Sequence, residues 1–557
     1  MSRRSIKRAV SPVLALLTAL VLAGALACGG GTETVIKTVE VEKIVEKEVI
    51  KEVPVEVVVE KEVIKEVTVE KVVTRDVLVD TSGGGEVEKL TVALSGIPVH
   101  VVGNLIPSLQ DRVVSTMIYD SLADLDRSGG GFGEWVPDIA QSWELISDDT
   151  IEVVFEKNVM FHNGEEVTAP ALVGMIEHLI NSKPLRFSWS YGGFGGAKSW
   201  EATDKYTFEY QLAQPDPNFW RIFPRTMPLE PDHLDAVGVD GYADAAVGTG
   251  PFKWVDWERD SFVSMERWED YGKGKPVVKA VEFKHIPEGA VRVAGVLTGE
   301  FDIAAVLRPE DVPTLVKKGN RVYVADIMQG LGIWMDYQGL TEEWSDKKVR
   351  QAALHAIDAD AIFEQIGGGY GTKLECQFVP EGWFGHNPDI QSYSYDPDKA
   401  KQLLSEAGYP GGFQTKGVST REWTFRDKEV FTAVQAYWDA VGIEMDLQFM
   451  DGAAWLDALI ANVLPAVMNM DLNFWLADNS GSMRSGGLDP RVDELRAQIK
   501  ITLDDAKRES LIRDLAKLYC DEAYGYWIWT VPSVYGLRGD LPNITFNGIF
   551  EMEIPTQ

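Results

Sequence analysis

Three observations predict a mixed α/β fold: short runs that alternate apolar and polar residues, longer segments with apolar residues at helical spacing, and a hydrophobic content of 45% over 557 residues. Alternation at period two marks a half-buried strand, whereas spacings of three and four residues mark a helix with one buried face. The strand-like runs are Glu88–Leu94, Thr150–Phe155, Thr207–Leu212, Val277–His285, Val322–Asp326 and Glu444–Phe449. Helical spacing covers Lys347–Ile366, Asp396–Ala407, Lys428–Val441 and Pro490–Tyr519. A chain of this length holds about three to five compact units. Its apolar residues suffice for large cores, which excludes a disordered polymer.

Ahead of this body lie two segments of different character. Arg3, Arg4, Lys7 and Arg8 precede an apolar stretch from Ala9 to Ala27, the layout of an export signal over residues 1–27. Pro12 and the glycines at 29–31 argue against a membrane-spanning helix. Cys28, directly after Gly24-Ala25-Leu26-Ala27, resembles the lipid-bearing cysteine of bacterial lipoproteins, although the usual leucine stands one position late at Leu26. That resemblance implies an acylated Cys28 and a protein held at the outer side of the cytoplasmic membrane, in a periplasm or at the cell surface. From Val35 to Asp80 a fourteen-residue pattern recurs: Val35-Ile36-Lys37, Val49-Ile50-Lys51 and Val63-Ile64-Lys65 open successive copies. Two heptads would fit a coiled coil, but the copies are built of β-branched residues and Pro54 interrupts them. Residues 28–87 are therefore read as an extended tether ending at Gly83-Gly84-Gly85, with an oligomerising stalk as the competing reading.

Charge and motif content exclude several function classes. With 53 basic against 86 acidic residues, the net charge of -33 would repel a phosphate backbone, so no nucleic-acid partner is expected. Three cysteines rule out a disulfide framework or a zinc site of paired Cys-x-x-Cys. Seven scattered histidines offer no metal pair, and no metal or other cofactor is expected. No Gly-x-Ser-x-Gly, phosphate-binding loop or His-Glu-x-x-His is present, and acidic neighbours such as Asp148-Asp149 and Glu342-Glu343 read as solvated surface, so no enzyme is expected.

Six further motifs, in order, carry a family resemblance: Val136-Pro137-Asp138-Ile139-Ala140, Phe161-His162-Asn163-Gly164-Glu165, Gly248-Thr249-Gly250-Pro251-Phe252, Gly299-Glu300-Phe301-Asp302-Ile303, Val349-Arg350-Gln351-Ala352, and Tyr395-Asp396-Pro397 running to Ala407-Gly408-Tyr409-Pro410. In this respect the body resembles the large solute-binding proteins of ABC importers, the group that includes dipeptide, oligopeptide and nickel binders. The resemblance implies a bilobal α/β fold with crossing hinge strands near Asp326–Trp334 and Trp527–Tyr535. The first lobe would hold residues 88–330 with a return over 529–557, and the second 331–528. It also implies a monomeric body that closes on a small-molecule or peptide ligand and hands it to a membrane permease. Within the matched motifs, Gly248-Thr249-Gly250-Pro251 reads as a tight turn, Asp396-Pro397 as a helix start, and His162 as a structural turn residue.

Two ionic positions follow from the resemblance as ligand contacts. Arg421, at the family's spacing before Gly442, would pair a ligand carboxylate; Asp478, in Trp475-Leu476-Ala477-Asp478-Asn479, would pair an ammonium. A charge taken out of water without a partner costs several kcal/mol, so the two together imply a zwitterion. Trp475, Trp423 and Trp334 adjoin these segments and are the candidate pocket walls among 17 tryptophans. The loop Ser95–Pro107 would contribute from the first lobe, but lacks the family's Leu-Asp-Pro. Another solute class, such as an oligosaccharide, opine or metal chelate, and a structural or adhesive surface lipoprotein are the alternatives. Cys376 and Cys520 both fall in the expected second lobe, leaving a disulfide or two buried thiols open.

Overall fold

The structure, a computed structural model, describes residues 37–39, 55–57, 86–96, 109–126, 134–182, 197–217, 219, 223–335, 341–421, 426–451, 454–455, 458, 463–464, 467–471, 489–546 and 552–557. Cys28, Trp423, Trp475 and Asp478 lie outside the described residues. The chain divides into residues Met1–Arg75 and Asp76–Gln557. In the first unit Lys37–Val39 pairs antiparallel with Val55–Val57. Among the described residues no helix is long and apolar enough to cross a membrane.

The second unit is organised by one ten-stranded sheet. Its strands are β1 (Leu90–Leu94), β2 (Phe252–Glu258), β3 (Phe262–Arg267), β4 (Ala280–His285), β5 (Ile303–Ala304), β6 (Arg321–Met335), β7 (Phe413–Thr420), β8 (Ile443–Met450), β9 (Val467–Asp471) and β10 (Gly525–Leu537). They lie in the order β2-β3-β4-β1-β5-β10-β6-β9-β7-β8. Around β1 the pairing is parallel, with β4 on one side and β5 on the other. A second parallel group forms where β7 runs beside both β8 and β9. Between the two groups the long strands β6 and β10 pair antiparallel, from Arg321 opposite Leu537 to Trp334 opposite Gly525. Every residue of β10 is buried, because it runs through the middle of the sheet with both faces covered.

Three apolar cores hang on this sheet among the described residues. The first gathers side chains from Leu90 to Ala305 and returns through Tyr535 to Met552, the second gathers Leu331 to Val531, and a smaller third joins Ala93, Ala304 and Val534 to the helix Gly289–Thr298 and Leu315. The first is also covered by a four-stranded antiparallel sheet of Ala140–Ser147, Thr150–Phe155, Thr207–Leu212 and Ala197–Ala202. Thr150–Phe155 and Thr207–Leu212 alternate half-buried and buried residues along their length, the pattern their sequences predict.

Two long helical predictions are each broken by an aspartate. Lys347–Ile366 becomes α3 (Lys347–His355) and Ala359–Gln365, with the Asp358 side chain accepting from the Ala361 amide. Pro490–Tyr519 becomes α6 (Pro490–Ile501) and α7 (Asp505–Glu522), with Asp504 accepting from Lys507. A carboxylate that caps free amides begins a new helix at that point, and a periodic apolar pattern carries straight across it. The other helices used below are α1 (Leu109–Ile118), α2 (Gly289–Thr298), α4 (Pro397–Glu406) and α5 (Asp427–Asp439). As expected, Asp396 caps α4 by accepting from the Lys399 amide, with Pro397 in the first turn.

Cys376 and Cys520 are joined in a disulfide, with their Cα atoms 5.6 Å apart. The bond ties the end of α7 to the segment Thr372–Cys376. That segment packs along β10: the Thr530 amide donates to the Thr372 carbonyl at 2.8 Å, and the Leu374 amide donates to that of Ile528 at 3.1 Å. Closing a loop of 144 residues removes denatured-chain entropy, so the double variant Cys376→Ser/Cys520→Ser is expected to lose about 3 kcal/mol of stability. Urea midpoints with and without reductant test this; wild-type protein that keeps its midpoint after full reduction would refute it.

Candidate functional site

Strand direction locates the site. On β6 the level of Ala304, the end of β5, is Val322, because both pair with Gly536 of β10. The level of Asp471, the end of β9, is Leu331. Since β5 runs with β6 and β9 runs against it, the carboxyl ends of the two parallel groups point at each other. The crossing strands span the gap between them, roughly 23 Å at 3.3 Å per residue for the seven steps of β10 from Gly536 to Trp529. Ligands of open α/β sheets sit outside the carboxyl ends of their strands, and here two such edges share one space.

The crossing region is irregular where this gap lies. Asp326 pairs with Pro532 but the next partners are Gly330 and Thr530, so β6 carries extra residues there. Pro532 has no amide to donate, and the Thr530 amide turns away to Thr372. Sheet bonding is thus interrupted between Val534 of the small third core and Val531 of the second.

Segments leaving the strand ends bring charge to this space. After β5 the chain turns through Val306, at φ 53°, to Arg308, Glu310 and Asp311. Buried Arg292 of α2 holds that turn through four carbonyls: its Nε donates to Ala305 at 3.0 Å, Nη1 to Ile286 and Pro287 at 2.6 and 2.7 Å, and Nη2 to Val306 at 2.8 Å. On the opposite edge, Thr420 ends β7 fully buried and its hydroxyl donates to Asp427 at the start of α5. Arg426, just before that helix, forms an ion pair with Glu310 across the two edges and a second with Glu429 at 3.3 Å. Arg308 stands 3.2 Å from Asp311. The edges are therefore linked by an ionic network at their rim.

Arg421 directly follows β7, and its amide donates to the Met450 carbonyl at 3.0 Å. Its side chain is 62% exposed and its Nε lies 3.4 Å from Oδ1 of Asp451, which follows β8 and is 84% exposed. The sequence-predicted arginine thus stands at the carboxyl edge beside an acid that sequence reasoning missed. Register reveals it: Thr420 opposite Met450 is the last rung of the β7–β8 ladder, so residues 421 and 451 leave the sheet together. Trp334, expected at a pocket wall, packs inside the second core with 4% exposure, edge-on to Tyr519 at 6.3 Å. Its place on β6 opposite Gly525 turns it inward. Of the expected first-lobe loop, only Ser95 and Gly96 are described.

His162 holds two motifs together. Its Nε2 donates to the Gly250 carbonyl at 2.9 Å, its Nδ1 accepts from the Gly248 amide at 3.3 Å, and its ring meets Trp268 edge-on at 5.0 Å. Burial lowers the imidazole to about 4, keeping it neutral. Because an unfolded histidine binds its proton near 6.5, this contribution is complete above that pH and is lost as pH falls to about 4, a change of about 3 kcal/mol. Burial and nearby Asp120 raise Asp138 to about 7, which acts in the opposite sense: its contribution is present at low pH and is lost as pH rises through 7. The stability difference between wild type and His162→Gln is therefore expected to widen from pH 4 to 6.5. A difference independent of pH would contradict this assignment.

Among the described residues no cluster of three or more His, Cys, Asp or Glu could hold a metal. The arrangement is suited to holding charged groups of a ligand between two edges.

Comparison with known proteins agrees with this geometry. The profile of bacterial extracellular solute-binding proteins, family 5 Middle, matches residues 134–486. The chain is 29% identical over 366 residues to the heme-binding protein A of Haemophilus influenzae, covering 59% of this chain and 64% of that one. It is 26% identical over 340 residues to the dipeptide-binding protein of Escherichia coli, covering 56% and 63%. The chain thus spans less than two thirds of the length of these relatives. In fold it is similar to the periplasmic binding protein DppA of Helicobacter pylori, solved in complex with the peptide STSA: the TM-score is 0.71 at 23% identity, covering 85% of this chain and 99% of that one.

Proposed function

Since this chain belongs to family 5 of the bacterial extracellular solute-binding proteins, we propose that it is a lipid-anchored receptor that captures a peptide or similar zwitterion and delivers it to an ABC permease. Residues 88–330 with 529–557 form one lobe in this reading, and 331–528 the other, closing over the ligand about β6 and β10. Arg421 receives the ligand carboxylate and Asp478 its ammonium, with Trp423 and Trp475 beside them. Cys28 carries the lipid, and residues 28–87 hold the body away from the membrane.

One observation carries the reading: two carboxyl edges face one another across the crossing strands, with an exposed arginine on one of them. Closure would exclude water from that space and strengthen each ionic contact within it. No catalytic step is required of any residue there. A relative named for heme makes a wider solute panel worth including.

The test uses full-length protein in detergent. Titration with the dipeptide Met-Leu, longer peptides and hemin, followed by thermal unfolding, is expected to show stabilisation by peptide. At a hundredfold excess over the dissociation constant the gain is about 2.7 kcal/mol. Arg421→Ala is expected to weaken peptide binding about thirtyfold, the loss of a charge-assisted contact to carboxylate. Stabilisation by hemin alone, or peptide binding untouched in Arg421→Ala, would overturn the assignment.

A further inference from the structure

The residue beside Arg421 carries an inference that deepens the zwitterion reading and rests on it. We propose that Asp451 is a second ligand-recognition acid, sharing the ligand's ammonium with the Asp478 of that reading when the ligand's carboxylate engages Arg421, and so selecting ligands whose two charges lie close together.

Backbone geometry fixes the two side chains as a unit. Parallel β7 and β8 keep register over eight pairs to Thr420 opposite Met450, and the Arg421 amide adds one more bond to the Met450 carbonyl. Neighbouring strands lie about 4.8 Å apart, so residues 421 and 451 project from one edge at that spacing. Both emerge at the edge that faces the first core. Five residues beyond Arg421, Arg426 already pairs with Glu310 of the opposite edge.

Contact between the two charges is loose. The Nε–Oδ1 distance of 3.4 Å is longer than the roughly 2.7–2.9 Å of a charge-assisted hydrogen bond. With 62% and 84% of the side chains exposed, both remain open to an incoming group. A carboxylate engaging the planar guanidinium through two bonds would displace that single contact. Asp451 would then face a displaced partner and a new negative charge, so an anion alone is disfavoured. A ligand bringing its own ammonium supplies what the displaced acid requires, and specificity arises from the repulsive half of the pair as much as from the attractive half.

Distance then sets the ligand class. Each added residue of an extended peptide separates its termini by roughly 3.3–3.6 Å. Two adjacent strand ends suit an amino acid or dipeptide, whose charges both lie within reach, and do not suit the separated termini of a longer peptide.

Calorimetry on the full chain with Met-Leu and N-acetyl-Met-Leu tests the proposal. Wild type is expected to prefer the free amine at least tenfold, Asp451→Asn to lower that preference at least threefold, and Asp451→Glu to restore it. Asp451 is too exposed for the substitution to threaten folding. An undiminished preference in Asp451→Asn, with Met-Leu still bound, overturns the role of Asp451 and leaves the zwitterion reading standing. Failure of wild type to bind Met-Leu, or equal binding of both probes, overturns both.

Discussion

Gly248→Ala is expected to cost about 3 kcal/mol or more and to lower the yield of folded protein sharply. A methyl group at this position would meet the Ile118 carbonyl oxygen at 2.0 Å and its carbon at 2.8 Å, with the Tyr119 ring at 2.7 Å. The first two are backbone atoms at the end of α1, held in place by the Gly250 amide, which donates to that same Ile118 oxygen at 2.8 Å. Relief would require moving the helix end. Such movement would also disturb the Asp120 amide, which donates to the Thr249 hydroxyl at 3.0 Å, and the His162 contacts on the far side of the loop. Backbone overlap in a packed interior belongs to the most damaging class of single substitutions. Gly272→Ala serves as the reference, since its added methyl meets nothing within 4 Å and its φ lies outside the left-handed range. Equal urea midpoints for the two variants would show the loop to be more yielding than its packing implies.

The same loop illustrates what could be read from residues alone. Gly248-Thr249-Gly250-Pro251 and Phe161-His162-Asn163-Gly164 were legible as turns, and His162 as structural, because glycine, proline and asparagine report local backbone needs. That the two turns bond to one another and to the end of α1 is a long-range fact, and no local pattern encodes it. Thr150–Phe155 and Thr207–Leu212 were legible to the residue because each has one face on the core and one outside. Asp358 and Asp504 were missed as helix starts because apolar periodicity runs through both positions. Arg421 was singled out only through family spacing, and Asp451 was not singled out at all, since their proximity depends on the register of β7 against β8. Cys376 and Cys520, 144 residues apart, likewise gave no local sign of their bond.

Arg350 was read only as part of the Val349-Arg350-Gln351-Ala352 motif, and its surroundings give that motif a physical reason. Its side chain is 4% exposed. Nη1 donates to the carbonyls of Trp344 at 2.8 Å and Ser345 at 3.0 Å, and Nε donates to that of Glu522 at 3.1 Å. Trp344 and Ser345 end the short helix Glu342–Ser345, and Glu522 ends α7. One guanidinium on α3 therefore satisfies the carbonyl ends of two other helices, where the backbone dipoles favour a cation. The plane also lies 5.0 Å from the Tyr524 ring centre, adding a cation–π contact. Burial lowers the arginine's proton affinity, but the nearby Tyr524, Glu522 and Asp346 oppose that shift, and guanidinium stays charged throughout the physiological range. Arg350→Met keeps most of the side chain's volume while removing every donor, leaving carbonyls at two helix ends without their partner. The expected loss is about 4 kcal/mol, within the range for breaking a buried, hydrogen-bonded charge. Arg350→Lys should recover only part of it, because a single ammonium cannot reach both helix ends in the fork geometry of a guanidinium. Urea unfolding followed by tryptophan fluorescence measures the effect, with exposed Arg421→Met as a control expected to unfold like wild type. A shift below about 1 kcal/mol for Arg350→Met would mean that the two helix ends are held by the surrounding core, and that this arginine is not what joins them.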